Sequence, residues 1–565
     1  MRFKKVEIYV LTVLLAAVAA FFGIRDSENH ALFFFVIEDT FEGTEEKVQI
    51  YDQGSGNYCV FLPSYANLDT MKIRTNRKLF FDEMPMRYGM LCNNIELGKK
   101  YQLSGKGYSG SIIFIKSENL PTLYVDTVSG NENYIHQQKD HKESGNMRLY
   151  TSDGALNYRG VVESIKMHRN NTSESDKKPY SLKLKAEGDL LGMGKAKKWV
   201  LLSNQFDVTQ LRNKIVFDFA QDFGLDFTPK SQWVDVYLNG KYAGLYLLCE
   251  KNEVHPERVT LGKDGGALVS MELEYRLINQ NLPYIVTEMG APLRIHYSTM
   301  EDDKLKKIWQ SAENAIRNEK GIDPETGKHW SELIDLDSWA RKYLIEEIFG
   351  NIDGGRVSQF FYVDGSDSTG KIYAGPVWDY DLTMGNITWY ENPVSNMLYV
   401  NCPYDFFGSP WYNKLCEDEQ FFEYVVEIYQ EEFLPLLDEL LDRQLSEYTR
   451  YISQGVRMNQ LRWKTDVWHN KDVLSETQKI EPYLVNRIHF LNNLWIKKQE
   501  KIMVSTFIEY RWQNYLLSPG DCLHKLPDYP NGSWYVKDTE VMFDFEQQIY
   551  QDVQLEWIAD KTAVK

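Results

Sequence analysis

An α+β fold in two lobes, preceded by a β-rich module, is the architecture that the sequence predicts. Three observations predict it. Short apolar runs separated by turn residues recur from about residue 31 to about 260, helical periodicity dominates from about 300 to 505, and polar, acidic segments lie where the two patterns meet. A β-rich half followed by a helix-rich half, with polar residues at the junction, is the arrangement of a two-lobed enzyme.

Length and charge set the broad class of the protein. The chain has 565 residues, of which 43% are hydrophobic, so it is long enough for more than one globular domain. Its formal net charge is -18, and so acidic a chain repels the phosphates of nucleic acids. No stripe of Lys and Arg is large enough to overcome that repulsion. We therefore exclude nucleic acid as a partner.

An apolar segment near the N-terminus predicts membrane targeting. Arg2, Lys4 and Lys5 precede the uncharged run 8–24, which is short for a spanning helix and slightly long for the core of a signal peptide. The basic flank places residues 1–5 in the cytoplasm and the bulk of the chain outside it. Residues 1–30 are thus expected to form a single-pass membrane anchor or a signal peptide, and the protein is secreted in the second case.

Residues 31–118 predict the β-rich module. Apolar runs at 32–37, 58–62 and 112–115 alternate with breaks rich in Gly, Asn and Ser, which is typical of short strands. The module contains no catalytic constellation. If an exported protein forms a disulfide here, Cys59 and Cys92 are the pair most suited to it; free buried thiols are the alternative.

Residues 119–260 predict the β-rich lobe. Strand-like runs at 180–184, 199–202, 233–238 and 242–248 are interrupted by one helix over about 211–223. The last two strands flank Asn239-Gly240, a dipeptide that favours a type I′ hairpin turn because both residues tolerate positive φ.

The helical lobe is predicted over about 300–505. A helix at 336–349 is followed by a hairpin of residues 357–363 and 371–377, and long amphipathic stretches occupy 418–452 and 475–504. Residues 506–565 form a tail of unassigned structure and role.

Two carboxylates at the junction carry the candidate chemistry. Asp353 lies in the loop after the helix, and Asp379 lies in Trp378-Asp379-Tyr380-Asp381 where the hairpin ends. Phosphoryl transfer requires one carboxylate that accepts the proton of the attacking hydroxyl and another that holds Mg²⁺. Each aspartate is alternatively a turn residue, but Asp379 and Asp381 lie between large aromatic residues, where an unpaired charge is costly.

Two cationic side chains fit the same chemistry. Arg212 falls on the apolar stripe of its predicted helix and requires an anionic partner, which is a phosphate or the carboxylate of Asp207. Lys183 lies on the strand face opposite Tyr180, Leu182 and Leu184, where it either neutralises phosphates in a cleft or faces solvent.

Other catalytic motifs are absent from the sequence. The segment 188–195 has glycines and a lysine but not the spacing of a phosphate-binding P-loop, and Ala196 replaces the required hydroxyl. The histidines have no HExxH spacing, and no GxSxG motif is present. A glycan-processing enzyme with two carboxylates remains an alternative, although it has no need of Lys183 and Arg212.

Several blocks in the middle of the chain resemble the CotH family of atypical kinases, which were first associated with bacterial spore coats. The resemblance covers about residues 120–390 and continues in the helices to about 505. The blocks follow in the family's order: the loop 169–173, the lysine strand 177–184, residues 198–202 with Asp207 and 211–213, the hairpin 236–250, residues 351–353 and residues 376–381.

The resemblance implies a remote protein-kinase-like fold that uses ATP and Mg²⁺ or Mn²⁺ to phosphorylate Ser or Thr of proteins at the cell surface or spore coat. It implies a catalytic role for Asp353 and a metal-binding role for Asp379, assisted by Asp381. Residues at the nucleotide phosphates or the lobe junction would be Lys183, Arg169, Asn171, Arg212 and Glu250.

Two positions depart from the family pattern. Asn170 replaces a glycine, which is a mild change because Asn tolerates left-handed backbone. Gln359 stands where the family has an Asn that would hold a second metal ion, and the resemblance implies that Gln359 is a metal ligand here as well, since its longer side chain can still reach that ion. The longer amide leaves an alternative open: a non-catalytic surface-binding or adhesion protein that retains the kinase-like fold.

Overall fold

The computed structural model describes most of the chain between residues 33 and 559. The described ranges are 33–38, 45–105, 107–138, 140–168, 175–365, 370–386, 395, 397–401, 408–464, 471–498, 500–508, 511–523, 526 and 532–559. The predicted N-terminal anchor or signal segment therefore lies outside them. Within these ranges, no helix has both the length and the apolar character needed to cross a membrane.

Residues 33–116 contain nine strands in two sheets. The strands are β1 Phe33–Glu38, β2 Glu45–Gln49, β3 Tyr51–Asp52, β4 Asn57–Leu62, β5 Lys72–Thr75, β6 Leu79–Phe81, β7 Met84–Met86, β8 Lys100–Gly105 and β9 Tyr108–Lys116. One sheet has the order β2-β1-β5 and the other β3-β4-β9-β8-β6-β7. Cys59 and Cys92 are both buried in the apolar core of this region as free thiols, so the disulfide is not formed.

A closed barrel of seven strands follows. Its strands are β10 Thr122–Thr127, β11 Glu143–Tyr150, β12 Leu156–Met167, β13 Tyr180–Asp189, β14 Lys195–Leu202, β15 Ser231–Leu238 and β16 Lys241–Glu250. Parallel pairing of β10 with β15 closes the barrel. Asn239 and Gly240 have φ values of 54° and 76°, so the turn between β15 and β16 has the positive φ angles expected of type I′.

Two helices accompany the barrel: α1 Asn133–Gln137 and α2 Arg212–Asp222. Helix α2 matches the predicted helix closely and ends before Gly224, whose φ of 76° is the left-handed conformation that commonly terminates helices. Alternating apolar side chains of the strands fill the barrel interior, including Leu182, Leu184 and Trp199. Residues at the odd-numbered positions of β13, such as Lys183, therefore point away from that core.

A separate sheet of five strands follows the barrel. It combines strands from residues 267–298 with strands from residues 359–374, which are distant in the chain. Its strands are β17 Ala267–Met271, β18 Tyr284–Val286, β19 Pro292–Ser298, β20 Gln359–Val363 and β21 Ile372–Ala374, in the order β18-β19-β17-β20-β21. The hairpin of β20 and β21 is the predicted one, but β17–β19 have no counterpart in the sequence prediction. Their pairing with β20 places residues near 270 beside residues near 360.

The remaining helices are mostly in the second half of the chain. They are α3 Glu274–Asn279, α4 Asp302–Arg317, α5 Trp330–Leu333, α6 Leu336–Ile348, α7 Tyr412–Leu415, α8 Glu419–Ile428, α9 Leu434–Glu439, α10 Leu445–Arg462, α11 Val473–Thr477 and α12 Ile480–Leu491. Short π-helical segments join α8 to α9 and α9 to α10 and extend α12: Tyr429–Phe433, Leu440–Gln444 and Asn492–Ile496. The predicted continuous helix to 504 is wrong at its end, because a strand begins at Ile502.

The C-terminal residues form a four-stranded sheet with its own apolar core. The strands are β22 Ile502–Ile508, β23 Arg511–Leu517, β24 Gly532–Val536 and β25 Val553–Ala559, in the order β23-β22-β25-β24. The apolar cluster contains Val504, Trp534 and Leu555. The tail that the sequence left unassigned is therefore β-structure.

Candidate active site

Helix α6 supports the loop that carries Asp353. The side chain of Asp335 accepts a hydrogen bond from the Ser338 backbone N–H and caps the helix N-terminus. The helix ends at Gly350, whose φ of 65° reverses the chain. The backbone carbonyl of Asp353 then accepts bonds from the N–H groups of Arg356 at 3.0 Å and Val357 at 2.9 Å. Asp353 therefore lies in a tight turn, half-buried.

A buried network connects the Asp353 loop to the Asp379 segment. The carboxylate of Glu346, on α6, accepts a hydrogen bond of 2.6 Å from Asn351 Nδ2 and another from the hydroxyl of Tyr380. Lys342, one turn earlier, forms an ion pair with Glu346 and donates to the Tyr380 hydroxyl at 2.8 Å. One carboxylate thus fixes residues adjacent to both candidate aspartates.

The Asp379 backbone is held in an unusual conformation. Its φ is 72°, a region that costs energy for most residues and that Asn and Asp adopt more readily. The next residue is anchored, because the Tyr380 N–H donates to Asn213 Oδ1 at 2.7 Å. Asn213 belongs to the first turn of α2, so the helix positions the acidic segment.

Among the described residues, Asp379 and Asp381 have no ion-pair partner. Ser358 Oγ lies 3.3 Å from Asp379 Oδ2 and is the hydrogen-bond partner that the described residues offer this carboxylate. Desolvation raises the pKa of Asp379, while Ser358 and Arg276 lower it by smaller amounts. Burial raises the pKa of Asp381 well above its ordinary value, and the charges of Asp379, Asp207 and Asp353 raise it further. The structure thus brings the predicted carboxylates into mutual electrostatic range.

Asp207 has the opposite environment. Its carboxylate accepts bonds from the N–H groups of Leu211 at 3.0 Å and Arg212 at 2.9 Å, and forms an ion pair of 2.6 Å with Arg212 Nη1. Arg212 Nε also donates to the Thr383 carbonyl at 2.9 Å. Arg212 therefore has the carboxylate partner that the sequence offered as one alternative, and it ties α2 to the segment after Asp381. Its predicted role toward phosphates stays a prediction.

Near His168 lie three cations that the sequence did not predict, Lys251, Lys166 and Arg294. His168 Nδ1 is 2.7 Å from Ser181 Oγ, and the His168 ring lies 6.3 Å from the Trp378 ring. Desolvation lowers the pKa of His168 to about 4, and the charges of Lys251, Lys166 and Arg294 act in the same direction. His168 is therefore neutral at pH 7. Because its ring lies near Trp378, the three cations that lower its pKa are close to the acidic segment.

Lys251 is the most informative member of this group. It follows Glu250 at the end of β16 and next to Asn252, whose Nδ2 donates to the Val377 carbonyl at 3.1 Å. Burial lowers the pKa of Lys251, as do Lys198, Arg294 and Lys166, whereas Glu253 raises it. In the described part of the chain, its ammonium group has neither a hydrogen bond nor an ion pair. A cation so placed is suited to an anionic ligand.

Glu272, at the end of β17, is a second residue that sequence reasoning missed. Burial raises the pKa of Glu272 to about 7; Arg294 and Arg276 lower it, and the charge of Asp379 raises it. The effect of Asp379 on the pKa of Glu272 indicates that the end of β17 reaches the acidic segment from the five-stranded sheet. Nothing in the local sequence marks Glu272 or Arg294, since the pairing of β17 with β20 brings them there.

Other predicted site residues lie in ordinary contacts. Lys183 forms a partly exposed ion pair of 2.8 Å with Glu163. Glu250 accepts a bond of 2.8 Å from the Lys230 N–H and lies 3.8 Å from Arg258 Nε. Gln359 is buried, and its Nε2 donates to the Val357 carbonyl at 3.0 Å. Arg169 and Asn171 fall outside the described residues. The roles predicted for these residues stay predictions.

The acidic groups do not form a closed metal cage. Within the part of the chain that the structure describes, no three His, Cys, Asp or Glu side chains are grouped so that they could hold a metal ion by themselves. A site for Mg²⁺ does not require such a cage, because this ion keeps several water molecules and is commonly held by one or two carboxylates and substrate phosphates. Asp379 and Asp381 fit that kind of site, because both are buried and neither has an ion-pair partner among the described side chains.

Comparison with known protein families identifies the family of this chain. The family described as "CotH kinase protein" matches residues 156–491, which is more than half of the chain. The matched range includes β12–β21 and all helices from α2 to α12, and with them every candidate aspartate. No curated protein matches the chain.

Proposed function

Because the chain belongs to the CotH kinase family and is thus an atypical kinase, we propose that it transfers the γ-phosphoryl group of ATP to Ser or Thr of a protein substrate. The observation that carries the proposal is the pair Asp379 and Asp381, two buried carboxylates with raised pKa values and no ion-pair partner in the described part of the chain. Two lobes, the barrel side and the helical side, would meet at this pair. The neighbouring cations Lys251, Lys166 and Arg294 suit the phosphates of the nucleotide.

Each residue would act through its own chemistry. Asp353 would accept the proton of the attacking hydroxyl, whose oxygen bonds to the γ-phosphorus while ADP leaves. Asp379 and Asp381 would hold Mg²⁺ or Mn²⁺, which when bound neutralises phosphate charge. Lys251 and its cationic neighbours would hold the phosphate oxygens in place. Glu346 would hold the backbone next to Asp353 and Asp379 in place, because Asn351 and Tyr380 both donate hydrogen bonds to its carboxylate.

Phosphoryl transfer by the purified 565-residue chain tests this proposal. Labelled ATP with Mg²⁺ or Mn²⁺ is supplied, and the chain itself and a generic basic protein serve as acceptors. The matched variant is Asp379→Asn, because Asn tolerates the positive φ at this position and removes only the charge. We expect transfer by the wild type and a loss of about a thousandfold in the variant. Equal transfer by both would contradict the proposal.

Gln359 favours a second candidate function. Its amide is buried and bonded to the Val357 carbonyl, so it would have to turn before it could contact a metal ion. A protein of this kind would bind a surface ligand without turnover. Transfer indistinguishable from that of Asp379→Asn, together with no nucleotide-dependent rise in the unfolding temperature, would support this second candidate.

The place of action is part of the proposal. Residues 8–24 support export or membrane tethering of the kinase, and proteins of the cell surface or spore coat would then be its substrates. Protease added to intact cells would degrade the tethered protein, whereas complete protection would contradict this location.

A further inference from the structure

A cavity of about 570 Å³ lies between the six-stranded sheet and the end of helix α10. On the sheet side, Ser111, Ile113 and Ile115 of β9 line it at every second position, as residues on one strand face do. On the helix side, the lining residues Arg457, Gln460, Leu461 and Lys464 recur at helical spacing. None of the residues that line it belongs to the candidate active site.

The lining of this cavity has one sign of charge. Its described lining contains four cations, Lys100, Arg457, Lys464 and Lys471, and no Asp or Glu, although the whole chain has a net charge of -18. Among the described residues, none of the four side chains forms a hydrogen bond or an ion pair. Other exposed basic residues do pair with acids, for example Lys414 with Glu417 and Lys479 with Glu476.

The cations act on the same region of the sheet. Arg457 and Lys464 both lower the pKa of the buried Cys59 thiol on β4, although burial raises it to about 12. Burial raises the pKa of Tyr58, which lines the cavity, and the charge of Asp52 raises it further. Asp52 does not line the cavity, and its carboxylate accepts a 2.7 Å hydrogen bond from the Gly54 N–H. The positive field therefore remains without a matching carboxylate in the lining.

We propose that this cavity is a second ligand site, which binds a small phosphate-bearing molecule. A phosphate ester has up to two negative charges and three acceptor oxygens, which suit an Arg fork and several Lys ammonium groups. Ile113, Ile115, Leu461 and the ring of Tyr58 supply an apolar wall for the carbon part of such a ligand. The volume lies in the range of sites for small molecules.

Calorimetric titration with inorganic tripolyphosphate tests the site. The purified 565-residue chain is used in metal-free buffer, so that the carboxylates of the candidate active site do not bind the probe through a divalent ion. The cavity variant is Arg457→Gln/Lys464→Gln. The control variant Arg443→Gln/Lys479→Gln removes the same number of positive charges from exposed positions elsewhere. A third protein, Lys251→Gln, tests for a contribution of the cations at the candidate active site.

We expect saturable binding of one tripolyphosphate by the wild type, the control variant and Lys251→Gln. Binding should weaken by about a hundredfold in the cavity variant, because two charge-assisted hydrogen bonds are lost. If that variant does not fold, as circular dichroism would show, Lys100→Gln/Lys471→Gln replaces it with the same expectation.

Three results would overturn the proposal. Equal weakening in the cavity and control variants would mean general electrostatic attraction. Loss of binding in Lys251→Gln alone would assign the probe to the candidate active site. Tighter binding of citrate than of tripolyphosphate would reject phosphate as the preferred group. Because the kinase assay depends on Asp379 and this titration does not, failure of one leaves the other intact.

Discussion

Buried carboxylates have different environments in two neighbouring parts of this protein. At the start of α2, Asp207 is fully paired with Arg212 and with backbone N–H groups. After strand β21, Asp379 and Asp381 have no ion-pair partner among the described residues. The negative charge of Asp207 raises the pKa of Asp381 further. Removing a charge from water is costly in both places. The paired carboxylate therefore serves the fold, whereas the unpaired ones are suited to an external cation.

The paired region gives the largest expected effect on stability. Arg212→Met should lower the free energy of unfolding by about 3–5 kcal/mol, because it leaves the Asp207 carboxylate buried without its cation. Urea denaturation measures this. The control is Arg443→Met, whose exposed pairs with Glu439 and Glu447 should contribute less than about 1 kcal/mol. Similar losses in both variants would show that burial does not distinguish the two arginines.

The barrel provides a third environment, in which a buried carboxyl group takes up a proton at a higher pH than it would in water. Burial raises the pKa of Asp235 to about 6, and its Oδ1 accepts a hydrogen bond of 2.8 Å from the Tyr242 hydroxyl. Because the folded-state pKa is raised, this group contributes stability that is complete below pH 4 and is lost as the pH rises through 6.

Asp235→Asn should therefore remove part of the pH dependence of unfolding. From pH 4 to pH 7, the wild type should lose on the order of 2–3 kcal/mol more than this variant, as measured by chemical denaturation. Since Asn keeps the shape and can still accept from Tyr242, the two proteins should have similar stability at pH 4. Parallel pH profiles would show that Asp235 is ionised in the fold.

Much of this contrast was accessible from the sequence. The stripe position of Arg212 and its proximity to Asp207 gave their pairing as one alternative, and the Asn239-Gly240 turn, helix α6 and the β20–β21 hairpin were predicted because each depends on local periodicity or turn chemistry. The placement of Asp379 at the exit of that hairpin followed from the same local pattern.

The rest depends on contacts between distant segments. Glu272 reaches the acidic segment through the pairing of β17 with β20, and Lys251 lies near that segment through the contact between Asn252 and Val377. The C-terminal sheet combines hydrophobic and polar residues without a clean alternation, so its strands could not be assigned. The helix predicted to 504 failed because an apolar run at 502–504 fits either a helix end or a buried strand.

The network of Glu346 tests how the unpaired carboxylates are positioned. Tyr380→Phe removes the hydroxyl that donates to Glu346 without changing the ring. We expect kcat of phosphoryl transfer to fall about tenfold with KM for ATP nearly unchanged, as for other groups that orient metal ligands. Tyr362→Phe, on a ring outside this network, is the control. A change confined to KM would instead place the hydroxyl in nucleotide binding.

Substitution of Lys251 gives the smallest expected effect on catalysis. Lys251→Gln should raise KM for ATP by about fivefold to tenfold, because one phosphate contact is lost, with kcat within about twofold. Its unfolding temperature should not fall, since a partly desolvated cation among other cations is removed. Lys198→Gln, which breaks a partly exposed pair with Glu253, is the control. An unchanged KM would exclude Lys251 from the phosphate site.

The unfolding temperature of wild type and Asp379→Asn, each with and without Mg²⁺ and ATP, tests the central claim most directly. Without ligands, the variant should be at least as stable as the wild type, because the mutual repulsion of Asp379 and Asp381 is relieved. With Mg²⁺ and ATP at saturation, only the wild type should gain several degrees, so that the order reverses. A variant that is less stable without ligands and gains as much as the wild type with them would contradict the account.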